Sequence, residues 1–143
     1  MEDRQPTIRM RLWLEDGGIF FGMGRVLLLD LIEEHGSLKD AASALGMSYR
    51  AAWGKLKATE EALGAKLVET CGSKRNGCRL TEQGRSVREK FREWFALVEQ
   101  DALQHAKEIF PWEVKSYDEA KEEEHAAQAA RSLNTASHAV YMK

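Results

Sequence analysis

The first hydrophobic pattern in the chain is a strict alternation over residues 7–15. Apolar residues occupy every second position, namely Ile8, Met10, Leu12 and Leu14. A period of two predicts a strand with one buried face. The sequence Asp16-Gly-Gly18 predicts a turn after it. Further glycines at positions 22 and 24 leave the next stretch without a predicted element.

A helical period replaces the alternation from Arg25 onward. Leucine and isoleucine residues recur at spacings of three and four, which predicts a helix over residues 25–35. Gly36 ends this helix. Ser37 then stands in an N-cap position, with Asp40 three residues later, for a second helix over residues 38–45. Gly46 follows where a left-handed C-cap residue is expected.

A third helix is predicted over residues 49–63, between an N-cap at Ser48 and a stop at Gly64. It is separated from the second helix by only three residues, and the small side chains of Ala41 and Ala42 allow the two helices to cross closely. Two capped helices around so short a turn are typical of a helix-turn-helix motif. A helical hairpin in an unrelated bundle has many of the same features, so that alternative stays open.

Residues 66–81 predict a β-hairpin, because two short β-prone runs flank a loop that contains Asn76-Gly77. Basic residues lie in and just beyond the loop, namely Lys74, Arg75 and Arg79. A helix-turn-helix followed at once by a basic hairpin is the winged form of the motif. The predicted fold class is therefore mainly α with a small β-hairpin wing, an N-terminal strand and a long C-terminal dimerisation helix.

The long helix is predicted from a cap at Thr81 to about Phe110. Its aromatic-rich stripe is longer than the core of one small domain requires, which predicts a homodimer. The expected interface residues are Val87, Phe91, Trp94, Phe95, Val98 and Ala102. Residues 1–110 are thus expected to form one DNA-binding domain that includes this helix.

Residues 111–143 are expected to form an acidic, partly helical extension. Pro111 ends the long helix, and Ser116-x-x-Glu119 predicts a capping box for another helix that runs to about Leu133. Residues 134–143 are predicted to be a flexible terminus.

Composition indicates a globular protein without a membrane span. The chain has 143 residues, 43% of them hydrophobic and 31% charged, and no apolar run approaches the length of a membrane helix. The N-terminus does not resemble a secretory signal, and two cysteines do not make a disulfide framework, so a cytoplasmic location is expected. The net charge is −2, yet residues 48–90 contain 10 basic against 5 acidic residues. The basic charge is concentrated where the helix-turn-helix and wing are predicted.

The third helix has two distinct faces at 100° per residue. Its predicted core stripe is Ala52, Leu56, Thr59 and Leu63. The other face contains Tyr49, Arg50, Gly54 and Lys57, which suit a major groove, since arginine pairs with guanine edges and lysine or tyrosine contacts phosphate. Ser48 could place the helix N-terminus against a phosphate, and Lys74, Arg75 and Arg79 are expected phosphate or minor-groove contacts. Trp53 lies at the border of the two faces, so it could shield the core or reach towards DNA; core packing is the favoured interpretation.

Four strings carry a resemblance to a known family: Gly36-Ser-Leu-Lys-Asp-Ala-Ala, Leu45-Gly-Met-Ser-Tyr-Arg-Ala-Ala-Trp53, Leu63-Gly64 and Leu80-Thr-Glu-Gln-Gly84. Over residues 7–110 the chain resembles the N-terminal domain of ModE-type molybdate-responsive regulators, which is similar to the LysR-type winged helix. The resemblance implies dimers joined through the long helix, with residues 49–63 as recognition helix and residues 66–81 as wing. Residues 113–143 are too short and acidic for a molybdate-binding domain, so no oxyanion-binding residue is carried over.

Catalytic and metal-binding classes find no support in the sequence. The four histidines are scattered without a second ligand at metal spacing, no catalytic motif stands out, and no cofactor is expected. Cys71 and Cys78 bracket the wing loop; two ordinary thiols are favoured over a redox bridge. Glu60 and Glu61 are interpreted as solvated charge. The sequence predicts a homodimeric, sequence-specific regulator that binds double-stranded DNA, with a winged-helix protein-interaction module as the alternative and any small-molecule effector left open.

Overall fold

The computed structural model describes residues 5–71 and 77–141, and the side chains within these ranges except those of 19 and 135–141. The described chain forms five helices: α1 Met23–His35, α2 Leu38–Ala44, α3 Tyr49–Leu63, α4 Glu82–Ile109 and α5 Tyr117–Tyr141. It also contains six short strands: β1 Thr7–Ile8, β2 Trp13–Glu15, β3 Ile19–Gly22, β4 Val68–Thr70, β5 Cys78–Leu80 and β6 Glu113–Val114. The strands pair two by two, as β1–β6, β2–β3 and β4–β5.

The chain divides into two compact units. One contains residues 12–97, and the other joins the residues up to Arg11 to the chain from Val98 onward. This division differs from the predicted boundary near residue 110, because β1 pairs in parallel with β6, at Thr7↔Glu113 and Ile8↔Val114. The N-terminal residues therefore belong with the C-terminal part of the chain.

The predicted strand over residues 7–15 is interrupted. Its two ends form β1 and β2, which pair with different partners, while residues 9–12 are not in a strand. The alternation of burial nevertheless persists, since the apolar positions are half-buried and the positions between them are exposed. β2 pairs antiparallel with β3, a strand that the glycine-rich sequence did not predict.

Within residues 12–97 the predicted caps are formed by side chains. The hydroxyl oxygen of Ser37 accepts from Asp40 N at 3.1 Å, and that of Ser48 accepts from Ala51 N at 3.1 Å. Gly46 adopts a φ of 70° after α2, and the observed bounds of α3 equal the predicted ones. The core of this unit is apolar and draws on β3, α1, α2, α3 and α4, with fully buried members that include Phe21, Val26, Leu29, Ile32 and Leu80.

Ion pairs also join α1 to α4. Arg88, which is buried, lies 3.3 Å from Asp30 Oδ1 and 3.2 Å from Glu33 Oε1, and Arg92 pairs with the other oxygen of Asp30. Phe91 of α4 packs edge-to-face on Phe21, with ring centroids 5.2 Å apart. The first half of α4 is therefore part of this unit's core.

The second unit contains the end of α4, β1, β6 and α5. The predicted capping box is present, since Glu119 N donates to Ser116 Oγ at 3.2 Å and Ser116 N donates to Glu119 Oε2 at 3.1 Å. Arg9 forms a 3.0 Å ion pair with Glu124, which lowers the pKa of that carboxyl. α5 extends past the predicted end near Leu133 to Tyr141, so the helix is longer than predicted. Its alanine-rich sequence has the propensity to continue the helix.

Candidate nucleic-acid interface

The third helix is held to the core through the hydroxyl of Thr59. This group donates to Phe20 O at 2.6 Å and accepts from Arg25 Nε at 3.3 Å. Arg25 is half-buried, and burial lowers the pKa of its guanidinium. These bonds, with the buried residues Ala52 and Leu56, determine which face of α3 points to solvent.

The opposite face of α3 is exposed, as its predicted role requires. Tyr49 is 51% exposed, Arg50 is exposed, and a Cβ built on Gly54 would meet no atom within 4 Å. Trp53 is 47% exposed, with Lys57 Nζ lying 5.7 Å from its ring centroid. The favoured interpretation of Trp53 as a core residue is therefore wrong, because its ring lies on the same surface as the cations.

The wing packs on α1 and faces α3 across an open cleft. β4 and β5 pair antiparallel, with Val68 opposite Leu80 and Thr70 opposite Cys78. Cys78 N donates to Gly36 O at 2.9 Å, which ties β5 to the turn between α1 and α2. An open cleft of about 410 Å³ separates the wing from α3. Residues of both elements line it, including Tyr49, Trp53, Lys57, Lys66 and Thr70.

The predicted basic residues of the wing are described only in part. Arg79 is exposed, and its Nε lies 3.0 Å from Glu69 Oε1. Lys74 and Arg75 lie outside the described residues. Among the predicted contacts, the structure thus places Ser48, Tyr49, Arg50, Gly54 and Lys57 at the exposed start and face of α3, and Arg79 on the adjacent wing.

The two wing cysteines are both free thiols. Because Thr70 is the partner of Cys78, and side chains alternate along a strand, Cys71 and Cys78 point to opposite faces of the hairpin. Cys78 is buried, and that burial raises the pKa of its thiol. Cys71 is more accessible. The register gives no support to a bridge across the hairpin.

Glu60 is a functional candidate that the sequence interpretation missed. Its side chain is only 8% exposed; one oxygen accepts from Leu67 N at 2.8 Å, and the other lies 3.1 Å from Lys57 Nζ. Leu63, by contrast, is exposed, so the core stripe includes Glu60 in its place. The signal was present in the spacing, since Ala52, Leu56 and Glu60 are four residues apart and share a face.

The residues predicted for an interface between copies divide into two groups. Phe91 and Phe95 are 3% and 5% exposed and pack in the chain's own core, although Phe91 also lines the groove described below. Trp94 is 41% exposed, while Val87, Val98 and Ala102 are half-buried. Beside the first half of α4 an open groove of about 620 Å³ is lined by Leu14, Val87, Lys90, Phe91 and Trp94, among others.

Two kinds of feature were not found in the described part of the chain: a cluster of metal ligands and a helix that could span a membrane. Among the side chains that the structure describes, no three histidine, cysteine, aspartate or glutamate residues are grouped to hold a metal ion. None of the helices in residues 5–71 and 77–141 is long and apolar enough to cross a membrane.

The geometry defines the class of protein. Two capped helices around a tight turn, an exposed second helix and an antiparallel two-stranded wing together form a winged helix-turn-helix domain. A long helix follows the wing. Residues 24–85 match the family model described as "Bacterial regulatory helix-turn-helix protein, lysR family", so this part of the chain is similar to that family.

The proteins similar to the chain include a curated relative and a solved structure. The molybdenum-pterin-binding protein MopA of Rhodobacter capsulatus is 31% identical over 87 residues, which cover 59% of this chain and 33% of MopA. The chain thus spans about a third of the length of this curated relative. The crystal structure of the CbnR DBD–DNA complex matches with a TM-score of 0.51 at 21% identity, over 63% of this chain and 100% of that one. At this identity the match establishes the fold alone.

Proposed function

We propose that the chain is a sequence-specific DNA-binding transcriptional regulator that acts as a homodimer. The observation that carries the proposal is the exposed face of α3, where Tyr49, Arg50 and Lys57 stand beside the wing in a domain similar to the LysR family. A helix presented in this way fits the major groove of B-DNA, and phosphate contacts from the wing then set its register. The CbnR domain that shares the fold was crystallised with DNA, which supports the proposal.

Arg50 is proposed to read bases. It lies at the start of the exposed face, where the recognition helix of this motif reaches base edges, and a bidentate arginine–guanine contact discriminates between bases. Phosphate contacts are proposed for four cations: Lys57 on α3, and Lys74, Arg75 and Arg79 on the wing. Ser48, whose side chain caps α3, is proposed to place the helix N-terminus against a phosphate.

The test is a comparison of two binding affinities. Duplexes selected from a random pool by the wild-type chain and an unselected duplex of equal length are titrated with wild type and Arg50→Ala. We expect the variant to lose about tenfold to a hundredfold of its affinity for the selected duplex, and less than about threefold for the unselected one. Equal losses on both duplexes would make Arg50 a phosphate contact. Lys55→Ala, an exposed cation elsewhere on α3, is the matched control.

A second candidate function is a protein-interaction module. The half-exposed rings of Tyr49 and Trp53 favour it, since aromatic residues are enriched in protein interfaces. The same titration at two salt concentrations separates the candidates, because phosphate contacts make DNA binding weaken as salt rises. Absence of any salt-sensitive shift would favour the protein partner.

A ModE-type role in molybdate- or tungstate-related gene control is proposed from the similarity to MopA and the Ser-Tyr-Arg-Ala-Ala-Trp string at residues 48–53. Addition of molybdate or tungstate to the titration tests whether this chain itself responds. We expect no change in affinity, since no oxyanion-binding residue was identified in it. An oxyanion-dependent shift would assign sensing to this chain.

A further inference from the structure

Two cations proposed to contact phosphate are already paired with carboxylates of the same chain. Lys57 Nζ lies 3.1 Å from Glu60 Oε1, and Arg79 Nε lies 3.0 Å from Glu69 Oε1. The pairs differ in burial. Glu60 is buried, whereas the side chain of Glu69 is 48% exposed.

Glu60 also holds the base of the wing. Its second oxygen accepts from Leu67 N at 2.8 Å, directly before β4 begins at Val68. One carboxylate thus connects α3 to the wing and at the same time binds the ammonium of Lys57. Two donors and surrounding protein keep this carboxylate in place, whereas an exposed pair such as Arg79–Glu69 is weakened by water and salt.

Lys57 is accessible to DNA in spite of its bond to Glu60. Its side chain is 42% exposed and lines the open cleft between α3 and the wing, above the ring of Trp53. A DNA phosphate that approaches this cleft would compete with Glu60 for the same ammonium. If Lys57 turned to the phosphate, it would leave a buried carboxylate with one donor fewer, which is unfavourable.

We propose that Glu60 lowers the sequence-independent affinity of the chain for DNA by holding Lys57, an inference that rests on the proposed DNA-binding function. Phosphate contacts supply nearly all sequence-independent binding. A cation held by its own carboxylate contributes less to that binding. Discrimination between sequences then depends more on base contacts such as that proposed for Arg50. Glu69 holds Arg79 in the same way and also lowers sequence-independent affinity, but more weakly because this pair is exposed.

The test measures affinity for an unselected duplex at fixed salt. Glu60→Gln should bind about fivefold more tightly than wild type, the upper range for an ion pair outside a core, and Glu69→Gln less than about twofold more tightly. In a Lys57→Ala background, Glu60→Gln should change affinity by less than about twofold. The gain must therefore depend on the lysine.

Glu60→Gln keeps an oxygen that can accept from Leu67 N, so the wing should stay in place. Protection of the Leu67 amide from hydrogen exchange checks this directly and requires no DNA. Glu60→Ala, which removes the acceptor, should lose that protection. A purely structural role for Glu60 would leave DNA affinity unchanged or lower in Glu60→Gln, whereas the proposed role raises it.

Three outcomes would overturn the proposal. The first is that folded Glu60→Gln binds the unselected duplex no more tightly than wild type. The second is that the gain in affinity persists in the Lys57→Ala background, so that it reflects only a removed negative charge. The third is that Glu69→Gln gains more affinity than Glu60→Gln. A failure of the proposed DNA-binding function would give a different set of results. In that case wild type shows no preference for any selected duplex and Arg50→Ala has no selective effect, whatever Glu60→Gln does to the unselected duplex.

Discussion

At Gly84 the first turn of α4 passes directly over the backbone of Leu67. A Cβ on residue 84 would lie 2.2 Å from Leu67 O. Thr81 completes the contact, since its hydroxyl accepts from Gly84 N at 3.0 Å and donates to Lys66 O at 2.6 Å, while its N–H donates to Leu67 O at 2.9 Å. The Leu-Thr-x-x-Gly string therefore caps α4 and docks it on the chain that leads into the wing.

Gly84→Ala should destabilise the protein by about 1–3 kcal/mol, because the new methyl group meets backbone that cannot move away freely. Urea unfolding followed by circular dichroism measures this. Gly24→Ala in α1 is the matched control, since a Cβ there meets nothing within 4 Å. Equal stability of Gly84→Ala and wild type would contradict the docking role.

Gly54 differs from Gly84 because nothing inside the chain requires it. It lies in the middle of α3 on the exposed face, with open space around its Cα. A glycine inside a helix costs about 0.5–1 kcal/mol relative to alanine. Close approach of a partner to the helix backbone is a physical reason for glycine at this position.

Gly54→Ala should therefore raise the unfolding free energy by about 0.5–1 kcal/mol and yet weaken DNA binding. Thermal melts and the duplex titration measure the two effects. Gly24→Ala should give a similar gain in stability with unchanged DNA binding, since it lies on α1. Retained affinity in Gly54→Ala would argue against close approach of DNA at this residue.

At the scale of the element, the strand register of the wing hairpin determines how reactive its two cysteine thiols are. The pairing of Thr70 with Cys78 turns Cys78 towards the core and Cys71 towards the other face. Burial both shields Cys78 and raises the pKa of its thiol, which lowers its thiolate fraction at any given pH.

Cys71 should therefore be alkylated by iodoacetamide well before Cys78 near neutral pH. Peptide mass spectrometry over a time course measures the two rates. The alkylation rate at Cys78 should continue to increase with pH above the pH at which the rate of an ordinary thiol levels off, because the pKa of Cys78 is raised. Urea, which loosens the fold, should increase the rate further. Equal rates in the native protein would mean that the hairpin register differs from the one described.

On the scale of the whole molecule, the proposed homodimer requires an exposed apolar surface, and the groove beside the first half of α4 is one. The groove of about 620 Å³ combines the exposed ring of Trp94 with Leu14 and Val87. An exposed apolar groove on a long helix is a suitable site for a second copy. The proposed homodimer would cover it.

Trp94→Glu should convert the dimer to a monomer, because it places a charge in the apolar groove. Sedimentation velocity measures the change. Ala96→Glu is the control, since residue 96 is exposed and lies about 200° around the helix from residue 94. A wild-type chain that sediments as a monomer, or a Trp94→Glu variant that remains a dimer, would contradict this interface.

Local signals account for most of what could be predicted. The caps at Ser37, Ser48 and Thr81 bond to backbone three residues away, so the starts of α2, α3 and α4 follow from neighbouring residues. The wing, the exposed face of α3 and the length of α4 follow from period and turn residues in the same way. For this reason the winged helix-turn-helix class was predictable from the sequence.

Tertiary structure decided the features that depend on distant partners. The strand over residues 7–15 is divided because one end pairs with β6 and the other with β3. Glu60 is buried because Leu67 N and Lys57 satisfy its oxygens, and Trp53 is exposed because Thr59, Arg25 and Phe20 set the rotation of α3. Period and capping depend on neighbouring residues, whereas these outcomes depend on hydrogen bonds between segments that only folding brings together.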